Sequence, residues 1–133
     1  MTILIFGGTG SIGTGLATNL FDQGEHVAIA ARHSPTCNEL SGLENKIDFY
    51  CCDITNPNDV KATIESAQPN QVIHLAAMLI GDCENNPQRA NAVNVAATIN
   101  ILKEAVVAGV DRFIFASTIA VYGGGRGPFE ETM

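Results

Sequence analysis

The first thirteen residues constrain the fold more than any other stretch. Thr2-Ile3-Leu4-Ile5-Phe6 is a short apolar run with β-branched character, the composition of a strand buried on both faces of a parallel sheet. Gly7-Gly8-Thr9-Gly10-Ser11-Ile12-Gly13 follows directly, and Leu16 to Gln23 then has helical character. Strand, glycine turn and helix in that order can hold a pyrophosphate. Glycines let the backbone turn tightly and approach a ligand with no Cβ in the way. The helix aims its unpaired N–H groups and positive dipole end at the anion. Gly7, Gly10 and Gly13 fit G-x-x-G-x-x-G, and no lysine follows as a phosphate-binding P-loop would require. A glycine cluster can be a bland turn, but its place between a buried strand and a helix favours a dinucleotide site.

The chain's 133 residues suit one domain with one core. Apolar content of 46% and charged content of 16% describe a packed protein, not a disordered one. No apolar run approaches the roughly 20 residues that span a bilayer. The N-terminus enters a strand with no basic region before it, so a cytoplasmic protein without a secretory signal or membrane partner is expected. Net charge is −7 and the seven Lys and Arg are scattered, which argues against a nucleic-acid partner. Cys37, Cys51, Cys52 and Cys83 lack C-x-x-C spacing and are expected as structural thiols, with no metal site.

Along the chain, a helix is expected from Ser11 to Gln23, with Ile12, Leu16, Leu20 and Phe21 on the sheet and Gly24 as its C-terminal cap. His26 to Ala31 is the second strand. The end of such a strand reads the adenosine ribose: a carboxylate there marks NAD, a basic residue the 2′-phosphate of NADP. The sequence is Ala30-Ala31-Arg32-His33-Ser34, so Arg32 favours NADP over NAD, the alternative being a solvated arginine. Ser34 to Asn45 is expected as a loop with a short helix around Cys37 to Leu43, and Lys46 to Cys52 as the third strand. Asp53 and Ile54 stand at its carboxyl end. Asp53 is placed to accept from an adenine amino group, or to cap the next helix, as Thr55 and Asn56 also could.

Asn58 to Ala67 is the second helix and Gln71 to Leu75 the fourth strand, with His74 a hydrogen-bonded core histidine. Ala76 and Ala77 are small where a cofactor would cross the strand end. Met78 to Asn86 is expected as a loop, and Gln88 to Ala108 as one long helix ending at Gly109. That helix carries a stripe of Val95, Ile99, Leu102 and Val106 and a wider surface of alanines. It is apolar on more than one face, which suits a homodimer contact as well as a buried helix. Asp111 to Ser117 is the fifth strand. Strands joined by helical crossovers imply a doubly wound α/β fold with a parallel sheet in the order 3-2-1-4-5. The carboxyl ends of all five strands, Thr118 included, are expected on one crevice.

These residues together resemble the extended short-chain dehydrogenase/reductase family, the NAD(P)-dependent epimerases and dehydratases of nucleotide sugars. The matching stretches are Gly7 to Gly13, Asp53-Ile54, His74-Leu75-Ala76-Ala77, Asn94-Val95 with Thr98, and Ala116-Ser117-Thr118-Ile119-Ala120-Val121-Tyr122-Gly123. The resemblance implies a Rossmann-type cofactor domain over residues 1–133. It implies cofactor contacts at Gly7, Gly10, Ser11, Ile12, Gly13, Arg32, Asp53, Ile54, Leu75, Ala76, Ala77 and Ser117, and the catalytic hydroxyl on Thr118. Family chemistry also needs a Tyr-x-x-x-Lys pair, in which the lysine lowers the tyrosine's pKa. Only Tyr122 with Arg126 has that spacing here, and arginine is no stand-in for lysine. The expectation is therefore the N-terminal part of an enzyme acting on a small-molecule substrate, a nucleotide sugar, and inactive by itself. A non-catalytic NADP-binding redox sensor is the alternative.

Overall fold

The computed structural model describes residues 1–33, 43, 46–123 and 127–132. Five strands form one sheet: β1 (Thr2–Phe6), β2 (His26–Ala31), β3 (Asp48–Cys51), β4 (Gln71–His74) and β5 (Arg112–Phe115). Their order is β3-β2-β1-β4-β5 and every pair is parallel. This is the doubly wound topology expected from the sequence. It places β1 at the centre, where the strand order reverses and ligands bind.

The apolar run of β1 feeds two cores because successive side chains point to opposite faces. Leu4 and Phe6 join Ala28, Ala30 and Val72 beneath Val60 and Ile64 of α2 (Pro57–Ala67). Ile3 and Ile5 join Val27, Ile29 and Ile73 beneath Ala17 of α1 (Ser11–Asp22). Helix α1 ends as expected. Gly24 has φ +83°, its N–H donates to Phe21 O, and the Glu25 N–H donates to Leu20 O. Leu16, Leu20 and Phe21 pack on the sheet, but Ile12 is 73% exposed. In the first turn Gly13 takes the place against the backbone, and Ile12 faces away from it.

The two edge strands are shorter than expected. β3 covers Asp48–Cys51 rather than residues 46–52, and β5 covers Arg112–Phe115 rather than 111–117, since an edge strand is held by one neighbour only. The helix expected around Cys37 to Leu43 lies outside the described residues, apart from Leu43, which is buried. Residues 78–86 are not all loop: α3 (Ile80–Asn85) is a six-residue helix, too short to display a period. The long helix expected over 88–108 is three pieces with continuous right-handed backbone. They are α4 (Pro87–Asn91), a π-helical turn (Ala92–Ala96) and α5 (Ala97–Val107). Val93, Ala97, Ile101 and Ala105 are buried, whereas the stripe Val95, Ile99, Leu102 and Val106 is exposed. The four buried residues, two of them alanines, join the core formed by Leu4, Phe6, Ala28, Ala30 and Val72.

Candidate functional site

A crevice of about 280 Å³ opens at the carboxyl ends of β1, β2, β3 and β4. Its floor is the glycine turn. Gly7 has φ +83°, and a Cβ there would sit 2.7 Å from Ala76 N. A Cβ on Gly13 would sit 2.6 Å from Gly7 O, so the helix start is pressed onto the turn. Gly8, outside the G-x-x-G-x-x-G positions, is also tight: its Cβ would meet the Ile29 side chain, with Cγ2 at 2.6 Å. Gly10 differs from all three. Its φ is −76° and the nearest atom to an added Cβ is Gly7 O, at 3.4 Å. It is the N-cap of α1, where Ser, Asp and Asn lead and Gly ranks with Thr; no side chain caps this helix and its first turn holds no acidic residue.

Gly7, Thr9 and Gly10 line the crevice, whereas Ser11, Ile12 and Gly13 do not. Ser11 and Ile12 are exposed in the first turn of α1, which stands beside the opening, and Gly13 is buried beneath it.

Arg32 and His33 leave β2 exposed at the crevice wall. Cys51 and Cys52 point to opposite faces, Cys51 exposed and Cys52 buried, and burial pushes the Cys52 thiol up, away from thiolate chemistry. Asp53 Oδ1 accepts from Thr55 N at 3.0 Å and from Thr55 Oγ1 at 2.7 Å. These bonds, and after them the Arg89 and Arg32 charges, hold its carboxyl below the usual range. The helix cap is instead Asn56, which accepts from Asn58 N. Asp53 and Ile54 both line the crevice.

Leu75, Ala76, Ala77 and Met78 form the β4 side. Leu75 N–H donates to Phe6 O at 2.9 Å. The Met78 peptide is clamped by Asn94 from the π-helical turn: Oδ1 accepts from Met78 N at 2.8 Å and Nδ2 donates to Met78 O at 3.1 Å. Behind it, Thr98 Oγ1 donates to Asn94 O at 3.0 Å, so its oxygen accepts from His74 Nε2 at 2.9 Å. His74 therefore carries its proton on Nε2. Its Nδ1 is buried without a partner, and burial lowers its pKa to about 4. It is a neutral core histidine, as expected.

Ser117 and Thr118 do not join this crevice. They line a separate shallow hollow with Ile119, Val121, Tyr122 and Phe129, where the Tyr122 and Phe129 rings stack at 5.2 Å. Both residues are exposed, and Thr118 Oγ1 accepts from Ala120 N at 3.2 Å to cap a 3₁₀ turn, Ile119–Tyr122. The expectation that all five strand ends meet in one crevice is thus corrected. β5 is separated from β2 by β1 and β4, and its end turns into its own hollow. Arg89 and Val93 line the main crevice and were not foreseen. They come from α4 and the π-helical turn, and only tertiary packing carries those elements across to the strand ends. Among the described residues no cluster of three His, Cys, Asp or Glu could hold a metal.

A family model described as the NAD dependent epimerase/dehydratase family matches residues 3–133. UDP-glucose 4-epimerase of Yersinia enterocolitica is 32% identical over 129 residues, 92% of this chain and 38% of the relative. The Thermus thermophilus UDP-glucose 4-epimerase, solved in complex with NAD, is 27% identical with a TM-score of 0.84, over 99% of this chain and 43% of that one. An epimerase from Methanothermobacter thermautotrophicus is 31% identical with a TM-score of 0.87, over 98% and 40% of the two chains. The chain therefore spans about two fifths of the length of these relatives.

Proposed function

The chain belongs to the NAD dependent epimerase/dehydratase family, and from that membership we propose that its crevice binds a nicotinamide adenine dinucleotide. The observation that carries this reading is Gly10. The protein's own packing leaves room for a side chain there, yet it is glycine and the helix start has no side-chain cap. A ligand phosphate at the uncapped helix start accounts for the bare backbone. The crevice volume lies near the lower limit for small-molecule sites and fits the adenosine end rather than a whole dinucleotide. When bound, the nicotinamide supplies hydride transfer. The chain's own residues supply binding: the glycine turn with Ser11, Ile12 and Gly13 at the pyrophosphate, and Asp53 and Ile54 at the adenine. Leu75, Ala76 and Ala77 form the far wall, Ser117 lies towards the nicotinamide, and Thr118 offers a hydroxyl to a substrate.

The whole protein is proposed to be a nucleotide-sugar epimerase or dehydratase of the cytoplasm. The names of its relatives support that reading, and the three described cysteines are free thiols. The exposed stripe running from the π-helical turn along α5 supports self-association. NADP preference rests on Arg32 alone.

Calorimetric titration of this chain with NADH and with NADPH tests the proposal. Saturable binding of either is expected, and binding of neither would remove it. Arg32→Asp is expected to move preference from NADPH towards NADH. An unchanged ratio would make Arg32 a surface residue.

A further inference from the structure

We propose that Arg89 is a second specificity-determining cation of the crevice. Together with Arg32 it forms a two-arginine clamp for a phosphate monoester on the adenosine ribose. The inference rests on the dinucleotide reading above and deepens it.

Four arginines occur in a chain of net charge −7, and two of them, Arg32 and Arg89, line this one crevice. They arrive from different elements, Arg32 from the end of β2 and Arg89 from α4 on the β4 side. Both are exposed, and among the described residues no carboxylate comes within 4.0 Å of either guanidinium. The backbone beneath Arg89 is fixed, because Asn86 Oδ1 caps α4 by accepting from Arg89 N at 3.0 Å. Asp53 shares the same wall, and its carboxyl is held ionised by Thr55 and then by the two arginines, Arg89 ahead of Arg32. Two guanidiniums and one carboxylate leave a single net positive charge, in a protein that is otherwise acidic. Such concentration of cation suits a dianion, and a phosphate monoester carries close to two negative charges at neutral pH. Each guanidinium can meet it with a two-pronged donor.

The test uses the intact chain at physiological ionic strength with four probes: NADPH, NADH, adenosine 2′,5′-bisphosphate and adenosine 5′-monophosphate. Arg89→Ala is expected to weaken NADPH and the bisphosphate about tenfold, one lost charge-assisted contact, while NADH and the monophosphate change less than about twofold. Arg89→Lys should restore part of the loss, and Arg112→Ala, remote on β5, should change nothing. Equal loss for phosphorylated and unphosphorylated probes, or no loss, would overturn the inference. So would failure of the bisphosphate to bind, whatever NADH does. Bisphosphate binding that depends on Arg89, with neither dinucleotide bound, would sink the dinucleotide reading and leave the clamp standing.

Discussion

The two ends of the sheet's ligand-facing side are built differently. At β1, β2 and β4 the strand ends are buried on both faces, the turns leave no room for a Cβ at Gly7 or Gly13, and Asn94 holds the Met78 backbone through hydrogen bonds of 2.8 and 3.1 Å. At β5 the strand is an edge, Ile114 and Phe115 are 41% and 52% exposed, and the Ser117–Tyr122 segment is held by its own 3₁₀ turn. The first end is preorganised by packing with little tolerance for added atoms. The second is organised locally and leaves its side chains open. A cradle for a phosphate needs the first kind of construction, because backbone donors must not move. A side-chain hydroxyl such as that of Thr118, proposed to meet a substrate, can sit on the second.

Two glycines with positive φ offer the strongest way to break this contrast. Gly7→Ala combines a left-handed conformation with a clash against Ala76 backbone, and should destabilise the fold by about 3–5 kcal/mol. Gly123→Ala has φ +73° and ψ −161° but meets nothing within 4 Å, and should cost about 1–3 kcal/mol. Urea denaturation of both variants checks this, and equal losses would erase the distinction.

His74 stands between the two ends, with Phe6 edge-on at 6.3 Å and Phe115 tilted at 5.7 Å. Its folded pKa of about 4 lies below the unfolded 6.5, so the unfolded chain binds the extra proton first. Stability should be complete above pH 6.5 and fall by about 2.5 kcal/mol as pH drops to 4.5. His74→Gln should flatten that dependence, and an unflattened slope would place the responsible group elsewhere. Asn94→Ala removes both bonds to the Met78 peptide and should cost about 1–2 kcal/mol, with faster amide exchange at Met78. Exchange unchanged at that amide would show that the turn holds without Asn94. Ile12→Ala, on a side chain 73% exposed, should change the unfolding free energy by less than about 0.5 kcal/mol while weakening dinucleotide binding. A large stability loss would reveal packing that this exposure does not predict.

Much of this was legible in order along the chain. The run Thr2–Phe6, the glycine spacing and the helix stops at Gly24 and Gly109 are short-range signals, set by side-chain period and φ preference within a few residues. They carried the parallel sheet and its order, and with it they put Gly7, Gly10, Arg32, Asp53, Ala76 and Ala77 around one crevice, to which the family resemblance added Ile54 and Leu75. What the sequence could not carry were relations between distant segments. That Gly8 meets Ile29, that Asn94 grips Met78, that Arg89 faces the same crevice as Arg32, and that Thr118 lies outside it depend on how helices and edges come to rest on the sheet. The physical reason is range. Backbone preference and hydrophobic period act between neighbours in sequence, whereas a close contact between residues tens of positions apart is decided only when the packed layers set their separation.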